Sequence, residues 1–214
     1  MTHSRGPLRT IAARVASWCG ATTDQSNNES DRRPFEHLVG DERQDEGWDL
    51  PDDGSEDDVL RDLAGVGVVV RTVWGLHEHR DTYPAPVPVL LHHLARDHPR
   101  VVLKGIGNAL AHPSARPWWP ELRDLYLKDR REVARERLAV VLSSIAVREH
   151  YEDLVSLLGN EDLGRSRILL VRAVNKIGNR LEPGAGRAVI AQYAEDPQLG
   201  TEVTNVLKGR SRSA

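Results

Sequence analysis

Apolar residues recur every three or four positions from about residue 57 onward, which is the spacing of one face of an α-helix. Breaker-rich stretches such as "YPAPVP", "HPSARP" and "EDPQLG" interrupt this pattern at intervals. No stretch of this region alternates convincingly with a period of two, so no strand is predicted. The pattern therefore predicts an all-α domain over residues 57–209, followed by a short flexible tail at 210–214.

Two of the helical stretches, "VVLKGIGNALAH" and "ILLVRAVNKIGN", share one frame around Asn108 and Asn175. An apolar residue lies two positions on either side of the asparagine, and a leucine lies five positions before it. The same frame fits Ser143, and with one mismatch each it fits Thr72 and Asn205. The five key positions are separated by 36, 35, 32 and 30 residues. About five stacked helix pairs are predicted, because one pair cannot bury its own apolar stripe.

The units "LHHLARDHPRVVLKGIGNALA" and "LVSLLGNEDLGRSRILLVRAVNKIG" resemble HEAT-like repeats of the short bacterial type. Both have a leucine-rich first helix, a turn with an aspartate, and a second helix with arginine and valine. The resemblance covers roughly residues 57–209. It implies a right-handed α-α superhelix, the HEAT/armadillo-like solenoid, whose second helices line a concave groove where partners bind.

The first 56 residues have a different composition from the repeat region. Apolar positions between Leu8 and Trp18 have helical spacing, which predicts a short amphipathic helix within residues 1–20. Residues 21–56 are rich in carboxylates, Gly, Pro, Asn and Ser and poor in apolar side chains. Such a segment buries too little surface to offset its ordering entropy, so it is predicted to be a mostly disordered linker.

Charge is divided unevenly along the chain. Residues 24–58 carry fourteen acidic and three basic side chains, whereas residues 59–214 carry 23 basic and 18 acidic ones. The simplest interpretation of the acidic run is a solvated linker. The alternative is an autoinhibitory segment that covers the basic domain.

Composition also narrows the cellular context. The single cysteine, Cys19, excludes an internal disulfide and fits a reducing compartment. No apolar run reaches the 18 residues expected of a membrane span. Arg14 interrupts the first apolar region, which is untypical of a secretory signal. A cytoplasmic location is the default expectation.

Polar residues of the predicted second helices form the candidate binding site. Helical spacing groups them on the side that the resemblance places near the groove. The predicted partner-binding residues are Lys104, Asn108, His112, Ser143, Arg172, Asn175, Lys176 and Asn179. An alternative stays open, in which the amides and hydroxyls are half-buried and hydrogen-bond between repeats, because buried polar groups need partners.

The stretch "RPWWPELRDLY" adds two aromatic candidates, Trp118 and Trp119. Pro117 or Pro120 suits the first turn of a helix, and a hydrophobic residue just outside that turn can pack against it. Two adjacent residues at a helix start cannot point the same way. One tryptophan is therefore predicted in the core, and the other is either a second packing residue or an interface anchor.

Catalytic and metal chemistry have little support in the sequence. The histidines between His77 and His112 lack metal-binding spacing beside a carboxylate. HEAT-like deoxyhypusine hydroxylases use several His-Glu pairs, and only His77-Glu78 matches that pattern. The glycines of "GVGVVV" and "KGIGN" do not form a phosphate loop and are expected to permit close helix packing. No catalytic residue, metal or cofactor is predicted.

The predicted function is a non-catalytic scaffold or adaptor that binds a protein partner along its concave face. The alternative is a nucleic-acid-binding protein with a groove like that of HEAT-like alkylpurine DNA glycosylases. Arginines concentrated between Arg123 and Arg180 favour this alternative. Acidic residues interleave with them, as in "DRREVARER", which is typical of paired charges on solvated helix faces.

Overall fold

The computed structural model describes residues 54–209, and this part of the chain is helical without any strand. Nine α-helices lie within it: α1 Asp57–Gly65, α2 Val87–Leu94, α3 Arg100–Leu110, α4 Trp119–Lys128, α5 Glu132–Ile145, α6 Tyr151–Gly159, α7 Ile168–Leu181, α8 Ala185–Ala191 and α9 Gly200–Leu207. Short 3-10 helices lie at Val73–Glu78, Arg80–Thr82, Pro113–Trp118, Arg148–His150 and Glu161–Arg167. The all-α prediction is confirmed here. The predicted helix within 1–20, most of the linker at 21–56 and the tail at 210–214 lie outside the described residues.

Eight of these helices form four consecutive pairs. The first helices α2, α4, α6 and α8 pack against the second helices α3, α5, α7 and α9, respectively. The second helices also contact one another in order, α3 with α5, α5 with α7, and α7 with α9. The key positions Asn108, Ser143, Asn175 and Asn205 each lie in one of these second helices.

The first unit departs from the predicted frame at Thr72. Helix α1 supplies its first helix, but the 3-10 helix Val73–Glu78 stands in place of a second α-helix. Gly67 has a φ of 82°, and the valines at 68–70 that follow it are not helical. Thr72 precedes the 3-10 helix, and its hydroxyl accepts a hydrogen bond from the Trp74 backbone N–H at 3.4 Å. The prediction of a second helix around Thr72 is wrong, because a glycine and a β-branched run favour non-helical backbone.

One apolar core extends through all the described helices. Every α-helix contributes at least one side chain to it. Fully buried members include Leu63 of α1, Leu90 of α2, Ile106 of α3, Leu122 of α4, Leu142 of α5, Leu154 of α6, Leu170 of α7, Ile190 of α8 and Val203 of α9. Each helix therefore buries its apolar stripe against its neighbours, which is the main source of its stability.

Two glycines let α3 approach the units on either side of it. A Cβ on Gly105 would lie 3.0 Å from Nε1 of Trp74, which belongs to the preceding unit. A Cβ on Gly107 would lie 2.8 Å from the Cβ of Arg137, which belongs to α5. The expectation that the glycines of "KGIGN" permit close packing is therefore confirmed.

Arg131 connects the turn between α2 and α3 to the turn between α4 and α5. Its guanidinium donates to the carbonyl oxygen of Leu94 at 2.8 Å and to that of Arg96. The same group contacts Asp97 at 3.3 Å and Asp129 at 2.5 Å. A planar group with five donors suits this position, because it satisfies carbonyls and carboxylates on two turns at once.

Two further arginines connect the remaining turns. Arg135 donates to the carbonyl oxygen of Asp129 at 2.9 Å and to that of Asp162 at 3.0 Å. Arg167 contacts the carboxylate of Asp196 at 3.2 Å. The turns between first and second helices are thus joined from the second unit to the last by arginine side chains.

Candidate interaction surface

The side of the second helices that faces away from the core is the candidate interaction surface. Half-buried and exposed residues recur there at spacings of about three or four, opposite the buried stripe of each helix. We call this surface the second-helix face, and its members are Val101, Lys104 and Asn108 of α3, Val133, Glu136, Val140 and Ser144 of α5, Leu169, Arg172, Lys176 and Arg180 of α7, and Thr201 and Thr204 of α9. Because the four helices contact one another in order, these residues lie on consecutive helices.

The first and the second helices differ in charge. Helices α3, α5, α7 and α9 contain seven basic and three acidic residues. Helices α1, α2, α4, α6 and α8 contain four basic and seven acidic residues. Helix α7 has Arg172, Lys176 and Arg180 and no acidic residue. On the second-helix face itself, one acidic residue, Glu136, is outnumbered by four basic residues, Lys104, Arg172, Lys176 and Arg180, and this excess of positive charge favours anionic partners.

Three predicted site residues, Lys104, Asn108 and Lys176, lie on the second-helix face as half-buried side chains. Lys104 and Asn108 are one helical turn apart on α3. Helix α5 separates them from Lys176 and contributes Val140 and Ser144 between them. The structure therefore places these polar residues on the outer sides of two helices, α3 and α7, that both pack against α5.

Arg172 lies on the same face but is also part of the packing between α7 and α9. Its Nε donates to Oε1 of Glu202 at 2.7 Å, and Glu202 is only 4% exposed. Helical spacing in the sequence groups Glu202 with Asn205 near the groove, but it does not predict the pairing of Glu202 with Arg172. The available signal was an acidic residue beside Val203, on the side of α9 that is otherwise apolar.

Ser143 does not present its side chain on the second-helix face. It is 5% exposed, and its hydroxyl donates to the carbonyl oxygen of Val140 at 3.0 Å. The next residue, Ser144, is half-buried and lies on the face instead. The prediction of Ser143 as an accessible partner-binding residue is therefore wrong, because neighbouring helices bury more of α5 than its apolar stripe.

Asn175 and Asn179 lie where α7 packs against α8. Asn179 Nδ2 donates to Asn175 Oδ1 at 3.0 Å, and the Arg187 backbone N–H donates to Asn179 Oδ1 at 3.3 Å. A Cβ on Gly186 would lie 2.2 Å from the Asn175 carbonyl oxygen. The Asn179 amide thus hydrogen-bonds to α8, as in the alternative that the sequence left open, while the Asn175 side chain bonds to Asn179 within α7.

Of the two tryptophans, Trp119 is the core residue. It is 4% exposed, and its Nε1–H donates to Oδ2 of Asp153 on α6 at 2.7 Å. Its ring stacks on His150 with centroids 4.0 Å apart, and burial lowers the pKa of that imidazole. Trp118 is half-buried against the core and is the tryptophan with accessible surface.

His112 makes its contacts within the turn between α3 and α4. Its Nδ1 accepts a hydrogen bond from the Ser114 backbone N–H at 3.3 Å, at the start of a 3-10 helix. Its ring lies 4.4 Å from the ring of Tyr83, whose hydroxyl donates to the Ala109 carbonyl oxygen at 2.7 Å. These contacts give His112 a local packing role at the end of α3.

An open cleft of about 180 Å³ lies between α4 and α6. Its lining residues are Arg123, Leu127, Asp153, Ser156, Leu157 and Asn160. Arg123 contacts Asp153 there at 3.0 Å, so the charges at the cleft offset each other. The volume is below the roughly 300–1,000 Å³ of small-molecule sites, and we assign no ligand to it. Within residues 54–209, no three His, Cys, Asp or Glu side chains are grouped to hold a metal ion.

Comparison of the chain with protein-family models, curated proteins and solved structures gives no match. No helix between residues 54 and 209 has both the length and the apolar character needed to cross a membrane.

Proposed function

We propose that residues 57–209 form a right-handed HEAT-like solenoid of about five units, with the second-helix face as its concave side. The ordered contacts of α3, α5, α7 and α9 support this proposal, as do the arginines that join consecutive turns. Stacked repeats of this kind create extended surfaces for elongated partners. The protein acts as a non-catalytic scaffold or adaptor in the cytoplasm, where it binds a protein partner along this face.

The excess of basic over acidic residues on the second-helix face carries the proposal. The second-helix face combines basic residues with half-buried aliphatic residues at the second position of three helices, Val101, Val133 and Leu169. Apolar contacts supply interface area, while basic residues steer a partner of opposite charge and select its register. The partner is therefore expected to present carboxylates together with apolar side chains.

Reversing charge at Lys104 and Lys176 tests this function. Lys104→Glu combined with Lys176→Glu changes two residues of the face and leaves the Arg172–Glu202 pair intact. We expect capture of the protein partner to weaken at least about tenfold, because an attraction becomes a repulsion at two positions. Affinity capture from cell extract at matched ionic strength, followed by quantitative mass spectrometry, measures the loss. Thermal unfolding checks that both proteins are folded.

A matched control reverses Lys128 and Arg165, which are exposed basic residues outside the second-helix face. Lys128→Glu with Arg165→Glu alters net charge equally, and we expect capture to be retained. Equal loss in both double variants would assign binding to net charge and count against the face. A parallel gel-shift titration at physiological salt measures binding to duplex DNA. DNA binding that is present in the parent protein and lost in the Lys104 and Lys176 double variant would assign the face to nucleic acid and overturn the protein-partner proposal.

A further inference from the structure

Asp62, His93 and His98 form a hydrogen-bonded chain that links α1 to α2 and to the turn after α2. His93 Nε2 lies 3.0 Å from Asp62 Oδ2, and His93 Nδ1 lies 3.0 Å from His98 Nε2. His93 is fully buried, whereas Asp62 and His98 are half-buried. We call this arrangement the Asp-His-His chain. None of its three residues belongs to the second-helix face.

Donors and acceptors determine where the protons of this chain lie. The Asp62 carboxylate only accepts, so His93 donates Nε2–H to it and offers Nδ1 as an acceptor to the Nε2–H of His98. One added proton is tolerated, because His98 can hold it on Nδ1, or His93 can hold it beside Asp62 while His98 changes tautomer. A second added proton leaves N–H groups on both facing nitrogens, and the bond between the two histidines is lost.

The surroundings of the Asp-His-His chain oppose protonation of its two histidines. The charged and titratable groups that face it are Asp58 and Asp62 of α1, His92 of α2, Arg96 in the turn and Arg131 before α5. Burial lowers the pKa of His93, and its hydrogen bond to Asp62 opposes this effect. Burial also lowers the pKa of His98, and the nearby His93 and Arg96 act in the same direction. Protonation of both histidines is therefore more favourable once the hydrogen bonds of the Asp-His-His chain are broken.

The two sides of the turn after α2 respond differently to pH. On one side Arg131 holds the turn by bonds to the Leu94 and Arg96 carbonyl oxygens, and its guanidinium stays charged throughout. On the other side the Asp-His-His chain links the turn to α1, which packs against α2 through buried residues such as Val59 and Leu63. Acid therefore weakens the attachment of α1 and leaves the link to the next unit in place.

We propose that the Asp-His-His chain is a pH switch that attaches α1 to α2 at neutral pH and releases α1 when both histidines are protonated. Release uncovers apolar surface on α2 that α1 otherwise covers. The switch thus couples acidification to exposure of one end of the helical array.

Hydrogen exchange of the full chain at pH 7.5 and 5.5, corrected for the chemical exchange rate, tests the switch. Each histidine that takes up a proton only on release raises the equilibrium constant for the release of α1 about tenfold between pH 7.5 and pH 5.5. This factor follows because a free imidazole has a pKa near 6.5. Protection of α1 is expected to fall at least about tenfold more than protection of α7. Equal changes in the two helices would overturn the proposal.

His98→Gln is the informative variant. A glutamine amide reaches a similar position, offers either a donor or an acceptor to His93, and does not titrate. We expect α1 to stay protected at pH 7.5 and its acid-induced loss to shrink below about threefold. The control, His79→Gln, changes a histidine that does not belong to the Asp-His-His chain, and this variant is expected to keep the wild-type response. A full acid response in His98→Gln would rule out the Asp-His-His chain as the switch.

Nitrogen NMR of the unmodified protein provides a measurement that does not depend on any variant. His93 is expected to carry its proton on Nε2 at pH 7.5. Its signals should change over the same pH range in which α1 loses protection. An Nδ1–H tautomer of His93 at pH 7.5 would contradict the hydrogen-bonding order on which the switch rests.

Discussion

Gly178 and Gly186 let α7 and α8 approach each other more closely than residues with side chains would allow. A Cβ on Gly178 would lie 2.6 Å from the Gly186 Cα and 2.6 Å from the Tyr151 hydroxyl oxygen. The obstruction at Gly186 is a backbone atom, which cannot turn aside as a flexible side chain can. The sequence places a glycine at position 178, but it does not show which residue that glycine contacts.

Gly178→Ala is expected to destabilise the protein by about 2–3 kcal/mol, because the added methyl group overpacks a backbone contact. Gly65→Ala is the matched control, since its Cβ would meet nothing within 4 Å at the end of α1. We expect that change to be neutral or to stabilise by up to about 1 kcal/mol through helix propensity. Urea unfolding of both variants measures the difference, and a neutral Gly178→Ala would refute the close contact.

At the scale of elements, arginines join one helical unit to the next. Arg131, Arg135 and Arg167 all lie in the basic part of the sequence that suggested a nucleic-acid groove. In the structure they bond carbonyls and carboxylates of the turns, and Arg167 is 2% exposed. Their charge is used within the fold, so the number of arginines overstates how basic the accessible surface is.

Arg131→Lys is expected to lower the free energy of unfolding by about 2 kcal/mol. A single ammonium cannot reproduce the bonds that the guanidinium makes to two carbonyls and Asp129. The neighbouring Arg130 is exposed, so Arg130→Lys should stay within about 0.5 kcal/mol of the parent. Chemical unfolding compares the two, and equal effects would argue against Arg131 as the link between the turns.

At the scale of the whole described region, three histidines couple stability to pH. Burial lowers the pKa of His93, of His98 and of His150 below the ordinary value of 6.5. They lie in two separate places, the first two beside α1 and the third stacked on Trp119. Because one core connects these places, the effects should appear together in global unfolding.

Stability is expected to decrease as the pH falls below about 6.5. The unfolded chain binds these protons as the pH passes its imidazole pKa, whereas the folded protein binds them only at lower pH. The loss therefore grows from about pH 6.5 downward and levels off below the folded pKa values. Thermal unfolding at pH 7.5, 6.5 and 5.5 measures this trend, and a Tm that is unchanged or higher at pH 5.5 would contradict it.

Apolar spacing in the sequence predicts most of the helices and roughly where they end, and the segment around Thr72 is the exception. Helices α3 and α7 match the predicted stretches "VVLKGIGNALAH" and "ILLVRAVNKIGN" to within two residues at each end, because apolar periodicity and Pro or Gly breakers act locally. Which polar residues remain accessible could not be predicted from this spacing. Asn108 lies on the second-helix face, while Ser143 is buried, although both occupy the same place in the repeat frame. The exposure of a helical residue depends on how closely the neighbouring helices approach, and that is a property of the packed chain.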